Sequence, residues 1–235
     1  MLEISNLSGG YGVVQVLWEI NLTAKTGEIT ALIGSNGVGK TTLMRTIAGN
    51  IFPMGGRILY QGEDITYQPQ PRRVKNGISM IPEGRQLYAG MSVEDNLMMG
   101  AYTRRDKVAV EKDKAWVYSI FSILEERRDQ LAGTLSGGES QMCAIGRALM
   151  SAPRLLLVDE LSLGLAPVVV DQLVQILTKI HQEKGLTVLL VDQDVLTALQ
   201  ISKRGYVIDN GRIAFEKESE RLKNDPKIKK AYLGL

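Results

Sequence analysis

Apolar and polar positions alternate in short runs through the first third of the chain. "LEISNL" (2–7), "VLWEINLTAKTG" (16–27), "EITALIG" (28–34) and "GRILYQGED" (56–64), with Gly and Asp at the turns, predict β-strands. At Gly34 the period changes. In "KTTLMRTIAG" (40–49), Leu43, Met44, Ile47 and Ala48 share one helical face, and Gly49 is placed to cap the C-terminus.

From about residue 84 to 150 the period is helical, in "VEDNLMMGAY", "VEKDKAWVYSIFSILEERRDQLA" and "ESQMCAIGRALM". In the last of these, Met142, Ile145, Ala148 and Leu149 share a face, and Pro153 follows as the stop. Strand and helix then alternate. "RLLLVDE" and "LTVLLVDQD" are unbroken apolar runs ending in carboxylates, the pattern of parallel strands buried on both faces. The helical "VVVDQLVQILTKIHQ" lies between them. "YVIDNGRIAF" predicts a hairpin, because Asn210-Gly211 suits a type I′ turn. The chain reads as one α/β domain in three parts. Residues 1–83 give an antiparallel β subdomain and the start of a core. Residues 84–150 give an inserted α-helical subdomain. Residues 151–235 complete a mostly parallel sheet with flanking helices.

Composition narrows the choice of function. A chain of 235 residues, 44% hydrophobic and 23% charged, is ordinary for a globular protein. Its net charge of +2, from 28 basic and 26 acidic residues, is too balanced for nucleic acid to be the expected partner, and the basic stretches "RRVK" and "KIKK" read as solvated helix faces. One cysteine and one histidine exclude an internal disulfide, most zinc sites and any His-based triad within the chain. No apolar run approaches the ~20 residues of a membrane helix. The start "MLEISNLSGG" lacks the flank and apolar stretch of a signal peptide. The expectation is an intracellular protein that serves any membrane from its surface.

The candidate chemistry begins at "GSNGVGKTT" (34–42), a glycine-rich turn between a predicted strand and a predicted helix. Backbone N–H groups there can turn onto a phosphate, Lys40 adds a full positive charge, and Thr41 offers a hydroxyl to Mg²⁺. "LLLVDE" supplies the acids: Asp159 is placed to hold Mg²⁺ through water, and Glu160 to polarise an attacking water. "LSGGES" (135–140) is a second phosphate seat, with a serine hydroxyl, glycine N–H groups and the dipole of the following helix. The helical insertion holds it away from the first seat, so it is expected to serve the nucleotide of a second subunit. Two chains would then enclose two ATP molecules.

In this order, "GSNGVGKTT", "LSGGES", "LLLVDE" and "SLGLAP" resemble the ATP-binding subunits of ABC transporters, from about residue 2 to 235. "MIPEGRQLY", "GRALMSAPRLLLVDE" and the ending "KKAYLG" are similar to the LivF type, the ATPases of high-affinity branched-chain amino acid importers. The resemblance implies the P-loop NTPase core of an ABC ATPase. It implies that Tyr11 stacks on adenine, that Gly34, Ser35, Asn36, Gly37, Val38, Gly39, Lys40, Thr41 and Thr42 hold the phosphates, and that Ser136, Gly137 and Gly138 complete the partner's site. Residues 162–165 would cross to that partner, and residues 83–100 would face a membrane permease. The implied partners are a second ATPase subunit (a homodimer or a LivG-like heterodimer), transmembrane permease subunits and, indirectly, an extracytoplasmic solute-binding protein. Nucleic acid is not among them. The implied location is the cytoplasmic face of the inner membrane, as a peripheral protein.

Several positions depart from the wider pattern. Glu83 stands where most such ATPases have Gln, and a carboxylate there is a competent Mg²⁺ ligand. Gln193 stands where the wider family has His. It can donate a hydrogen bond to the γ-phosphate, which leaves Glu160 as the principal base. Ser140, Leu161 and Cys143 replace the usual Gln, Pro and aliphatic residue. Losing the proline is expected to cost ~0.4–1 kcal/mol in ordering Glu160. Cys143 is expected to pack in the interior and His181 to lie on the surface. The alternatives are a weakly hydrolysing regulatory cassette of a heterodimer, or an ABC ATPase for another solute, urea or lipopolysaccharide.

Overall fold

A computed structural model of the chain describes residues 1–230; positions 231–234 of the "KKAYLG" segment lie outside the described residues. The chain opens with β1 (Leu2–Tyr11) and β2 (Val14–Ala24), paired antiparallel from Leu2↔Ala24 to Tyr11↔Val14. Next come β3 (Ile29–Ile33), α1 (Lys40–Ala48), β4 (Gly55–Tyr60) and β5 (Glu63–Asp64). Strands β4 and β5 join the first pair in an antiparallel sheet of order β2-β1-β4-β5. Then α2 (Gln70–Lys75) leads to β6 (Ile78–Ile81). Helices α3 (Val93–Gly100), α4 (Lys107–Ile120), α5 (Ser122–Glu126) and α6 (Gly137–Leu149) separate β6 from β7 (Leu155–Asp159). The chain continues through α7 (Pro167–Lys184), β8 (Thr187–Val191), α8 (Val195–Ile201), β9 (Arg204–Asp209), β10 (Arg212–Glu218) and α9 (Ser219–Lys223). The second sheet runs β10-β9-β3-β8-β7-β6, parallel except for the β9–β10 hairpin.

Every residue of β3, β7 and β8 is buried; the unbroken apolar runs of β7 and β8 predict this, whereas β3 reads as an alternating strand and is buried on both faces because it lies inside the parallel sheet between β9 and β8. The period of two divides them between two cores. Leu156, Val158, Val188 and Leu190 face Leu97, Ile145 and Leu173 of the helical side. Leu155, Leu157, Leu189 and Val191 face Leu43 and Met44 of α1, together with Leu7 and Ile20 of the antiparallel sheet. Each such side chain contributes ~1.5–3 kcal/mol on burial, so the parallel sheet is held from both faces and its C-terminal strand ends are rigid.

Four elements go beyond the periodic reading: α2, β6, α8 and α9. Strand β6 is only the four residues "ISMI", too short for a period, and takes its form from pairing with β7, Ile78↔Leu155 to Ile81↔Val158. The helical run 110–132 breaks at Phe121 (φ −123, ψ 71), whose ring is buried between α4 and α5. Cys143 is fully buried, as expected, and burial pushes its thiol up to about 11. His181 lies partly at the surface, half-buried, with Nδ1 2.7 Å from the Leu186 carbonyl, and it closes the turn from α7 into β8. The hairpin turn is as predicted, with φ 46 at Asn210 and φ 73 at Gly211. Arg73 corrects the reading of "RRVK" as a solvated helix face: it is the largest fully buried side chain among the described residues. Its guanidinium donates to the carbonyls of Thr46 and Ile47 (2.8 Å each), Gln68 (2.8 Å) and Thr66 (2.9 Å). It thereby ties α1 to α2 at the negative end of the α1 dipole.

Candidate functional site

The turn 34–39 leaves β3 at the C-terminal edge of the parallel sheet, where crevices form in open α/β folds. Gly39, at φ 108, holds a backbone conformation that a side chain would strain, and it opens directly into α1. No side chain caps α1, so its first N–H groups stay free for an anion. Lys40 is buried and curls back over the turn, donating to the Gly34 and Ser35 carbonyls at 2.8 Å each. Burial lowers its pKa, against the opposing pull of Glu160 and Asp159. The hairpin at the end of the sheet braces the turn from outside: Gly211 N–H donates to the Val38 carbonyl at 3.1 Å, and Trp18 N–H to the Gly211 carbonyl at 2.8 Å.

The acids arrive from β7. Asp159 is fully buried, and its Oδ1 accepts from the Thr41 hydroxyl at 3.3 Å. Its other oxygen, Oδ2, is buried without any hydrogen-bond partner. Burial, against the Thr41 hydrogen bond and with the neighbouring Glu160 and Glu83 charges, raises its pKa to about 6. An orphaned carboxylate oxygen beside a threonine hydroxyl is a site that a hard cation satisfies. Glu160 follows at φ 60, uncommon for a residue with a side chain. Its N–H donates to the Val191 carbonyl at 2.8 Å, and its Oε2 accepts from Gln193 Nε2 at 2.9 Å. Leu161, in the place where proline is expected, is 1% exposed and packs in the core beside these bonds.

Tyr11, Asn36, Gly37, Gly39, Lys40, Thr41, Thr42, Glu83, Glu160 and Gln193 line one cavity of about 440 Å³. Tyr11 forms its rim, 45% exposed, with its hydroxyl accepting from Arg45 at 3.4 Å. Gly34, Ser35 and Val38 form the turn beneath. Ser136, Gly137 and Gly138 do not line this cavity. Ser136 caps α6 in a capping box with Glu139: Glu139 N–H donates to Ser136 Oγ at 3.4 Å, and Ser136 N–H to Glu139 Oε2 at 2.8 Å.

Two arginines escaped the sequence reading. Arg147 of α6 donates to the carbonyls of Arg85 (2.9 Å) and Gln86 (2.8 Å), and lies 5.5 Å from the Tyr88 ring centre. Arg85 reaches Gln141 of α6 and the Leu163 carbonyl, 3.2 Å each. The segment carrying Glu83 is thus bound to the helix behind "LSGG" and to the loop 162–165. The signal for Arg147 was its place in "GRALM", but its partners are remote in sequence.

The family description "ABC transporter" matches residues 17–162. The branched-chain amino acid transport ATP-binding protein BraG of Pseudomonas aeruginosa is 44% identical over 235 residues, covering all of both chains. The probable LivF of Archaeoglobus fulgidus is 34% identical, covering 100% of this chain and 99% of its own. The lipopolysaccharide export ATP-binding protein LptB of Escherichia coli is 32% identical, covering 99% of this chain and 97% of its own. Among solved structures, an ATP-binding cassette in its ADP conformation superposes at TM-score 0.87 with 26% identity, covering 100% of this chain and 99% of its own.

Proposed function

The chain belongs to the ABC transporter family as an ATP-binding subunit, and from that premise we propose that it hydrolyses Mg-ATP to drive a branched-chain amino acid importer. The observation that carries the hydrolytic reading is the convergence of Lys40, Thr41, Glu160 and Gln193 on one cavity, with Asp159 hydrogen-bonded to Thr41 beside it. The full-length identity to BraG supports the cargo; the identity to LptB, at 32%, supports the lipopolysaccharide alternative less.

In this reading Tyr11 stacks on the adenine. The turn 34–39 and Lys40 take the β- and γ-phosphates, and Thr42 the α-phosphate. Thr41, Asp159 and Glu83 would hold Mg²⁺, which would supply neutralisation of phosphate charge. Glu160 takes the proton of the attacking water as the water oxygen bonds to the γ-phosphorus, and the bond to the bridging oxygen of ADP breaks. Gln193, hydrogen-bonded to Glu160, orients the carboxylate and donates to the γ-phosphate. Ser136, Gly137 and Gly138 serve the nucleotide of a second subunit, because they lie off their own cavity. Residues 83–100, braced by Arg147, face the permease at the cytoplasmic side of the membrane. No helix among the described residues is long and apolar enough to cross a membrane.

The test is the hydrolysis rate per molecule as a function of concentration, for this chain alone and with a LivG-like partner. A rate that rises with concentration supports paired sites. A chain that binds no ATP under either condition overturns the reading.

A further inference from the structure

The strand that delivers Gln193 ends in another acid, Asp192, which is 1% exposed and does not line the nucleotide cavity. A buried carboxylate needs partners, and this one takes them from two loops. Its Oδ1 accepts from the Ser162 hydroxyl at 2.5 Å and from the Asp194 N–H at 2.9 Å. Its Oδ2 accepts from the Ser162 N–H at 3.1 Å. Ser162 lies two residues beyond Glu160, and Asp192 is the neighbour of Gln193. The Gln193–Glu160 hydrogen bond at 2.9 Å and the Glu160 N–H to Val191 carbonyl bond at 2.8 Å close the same ring from the other side. Inside that ring Glu160 sits at φ 60, a conformation that persists in a residue with a side chain only where its surroundings over-determine it.

We propose that Asp192 is a positioning residue: by clamping both the hydroxyl and the amide of Ser162, it holds Glu160 and Gln193 in register at the end of the sheet. The proposal rests on the ATPase reading above and adds a residue that does not line the nucleotide cavity. The clamp acts on the placement of Glu160 and Gln193, while the Asp192 charge also pulls on Lys40, opposing the lowering of its pKa by burial. A displacement of the base by about an ångström costs on the order of 10²-fold in rate, while the phosphate-binding turn, held by its own contacts with Lys40 and Gly211, is left in place.

The experiment compares Asp192→Ala, Asp192→Asn and Ser162→Ala with the unaltered chain, each alone and in a Glu160→Gln background. ATP binding is followed by fluorescence, and hydrolysis by phosphate release. Asp192→Ala is expected to lower kcat by on the order of 10²-fold with the Kd for ATP unchanged or lower, because a negative charge acting on Lys40 is removed. Asp192→Asn, which keeps an acceptor for the Ser162 hydroxyl, recovers part of the loss, and Ser162→Ala loses less than Asp192→Ala. In the Glu160→Gln background Asp192→Ala adds nothing further. Equal multiplicative losses in both backgrounds, or ATP affinity falling in step with the rate, overturn the proposal. If the unaltered chain binds ATP but does not turn over, the ATPase reading is at fault, and amide exchange decides the clamp. Residues 160–165 must exchange faster in Asp192→Ala while residues 34–42 do not; unchanged protection of 160–165 sinks it.

Discussion

Asp159 stands in tension between stability and use, and Asp159→Asn measures it. The carboxylate is fully buried, one of its oxygens has no partner, and its pKa rises from 3.8 to about 6. At pH 7 the native protein therefore holds a charge that the unfolded chain carries at less cost. The rise corresponds to about 3 kcal/mol of destabilisation. Asparagine removes the charge and keeps the shape, but its amide inherits the partnerless position, which returns ~1 kcal/mol or more. A net gain of ~1–2 kcal/mol is expected without nucleotide, which raises Tm by roughly 2–8 °C for a chain of this size. The sign of its pH dependence is fixed by the direction of the shift. Between pH ~4 and ~6 the native acid holds its proton more firmly than the unfolded one, so the unaltered chain loses stability as pH rises through that window. The advantage of Asp159→Asn is thus absent below pH ~4 and complete above pH ~6. Urea unfolding of both proteins at several pH values isolates this difference from every other titration. Mg-ATP should stabilise the unaltered chain and not the variant. A variant no more stable at pH 7, or a gain equal at every pH, would refute the argument from burial.

Three other outcomes are expected. Glu160→Gln keeps ATP binding and loses ~10²–10⁴-fold in hydrolysis; a wild-type rate removes Glu160 from the role of base. Arg73→Met leaves carbonyls at the end of α1 without their donor and lowers stability by ~3–5 kcal/mol, read by urea unfolding. A loss under ~1 kcal/mol would mean that water replaces the guanidinium. Gly211→Ala places a Cβ 1.9 Å from the Val16 carbonyl at φ 73, so the turn must move off Val38. ATP affinity should fall by about tenfold or more, some ~1.4 kcal/mol; unchanged affinity would show that the phosphate-binding turn needs no brace.

The two kinds of information in the sequence had different reach. Buried strands such as "LLLVDE" were legible because burial on both faces leaves no polar position, and the phosphate-binding turn because its glycines and lysine serve a local geometry. Asp192 was visible only as a carboxylate at a strand end. Its meaning depends on Ser162, which comes close through the pairing of β7 with β8. Strand β6 and the contacts of Arg147 and Arg73 were out of reach for the same reason, since their partners are set by packing. Gln193 reads as a donor toward phosphate, and the hydrogen bond of its amide to Glu160 comes only with the fold.

The hydrogen bond between Val38 and Gly211 carries a consequence for how the protein is made. The phosphate-binding turn leaves the ribosome early, yet the hairpin that steadies it is synthesised almost last. At ~5–20 residues per second that delay is on the order of ten seconds or more. Over that interval the turn lacks the brace whose loss is expected to weaken ATP binding by about tenfold or more. ATP therefore rewards chains that have run past Gly211 more than shorter ones. Stalled chains released before Arg204 should gain less protease resistance from ATP than chains released after Glu218. Nucleotide capture then acts as a completeness check on each new subunit.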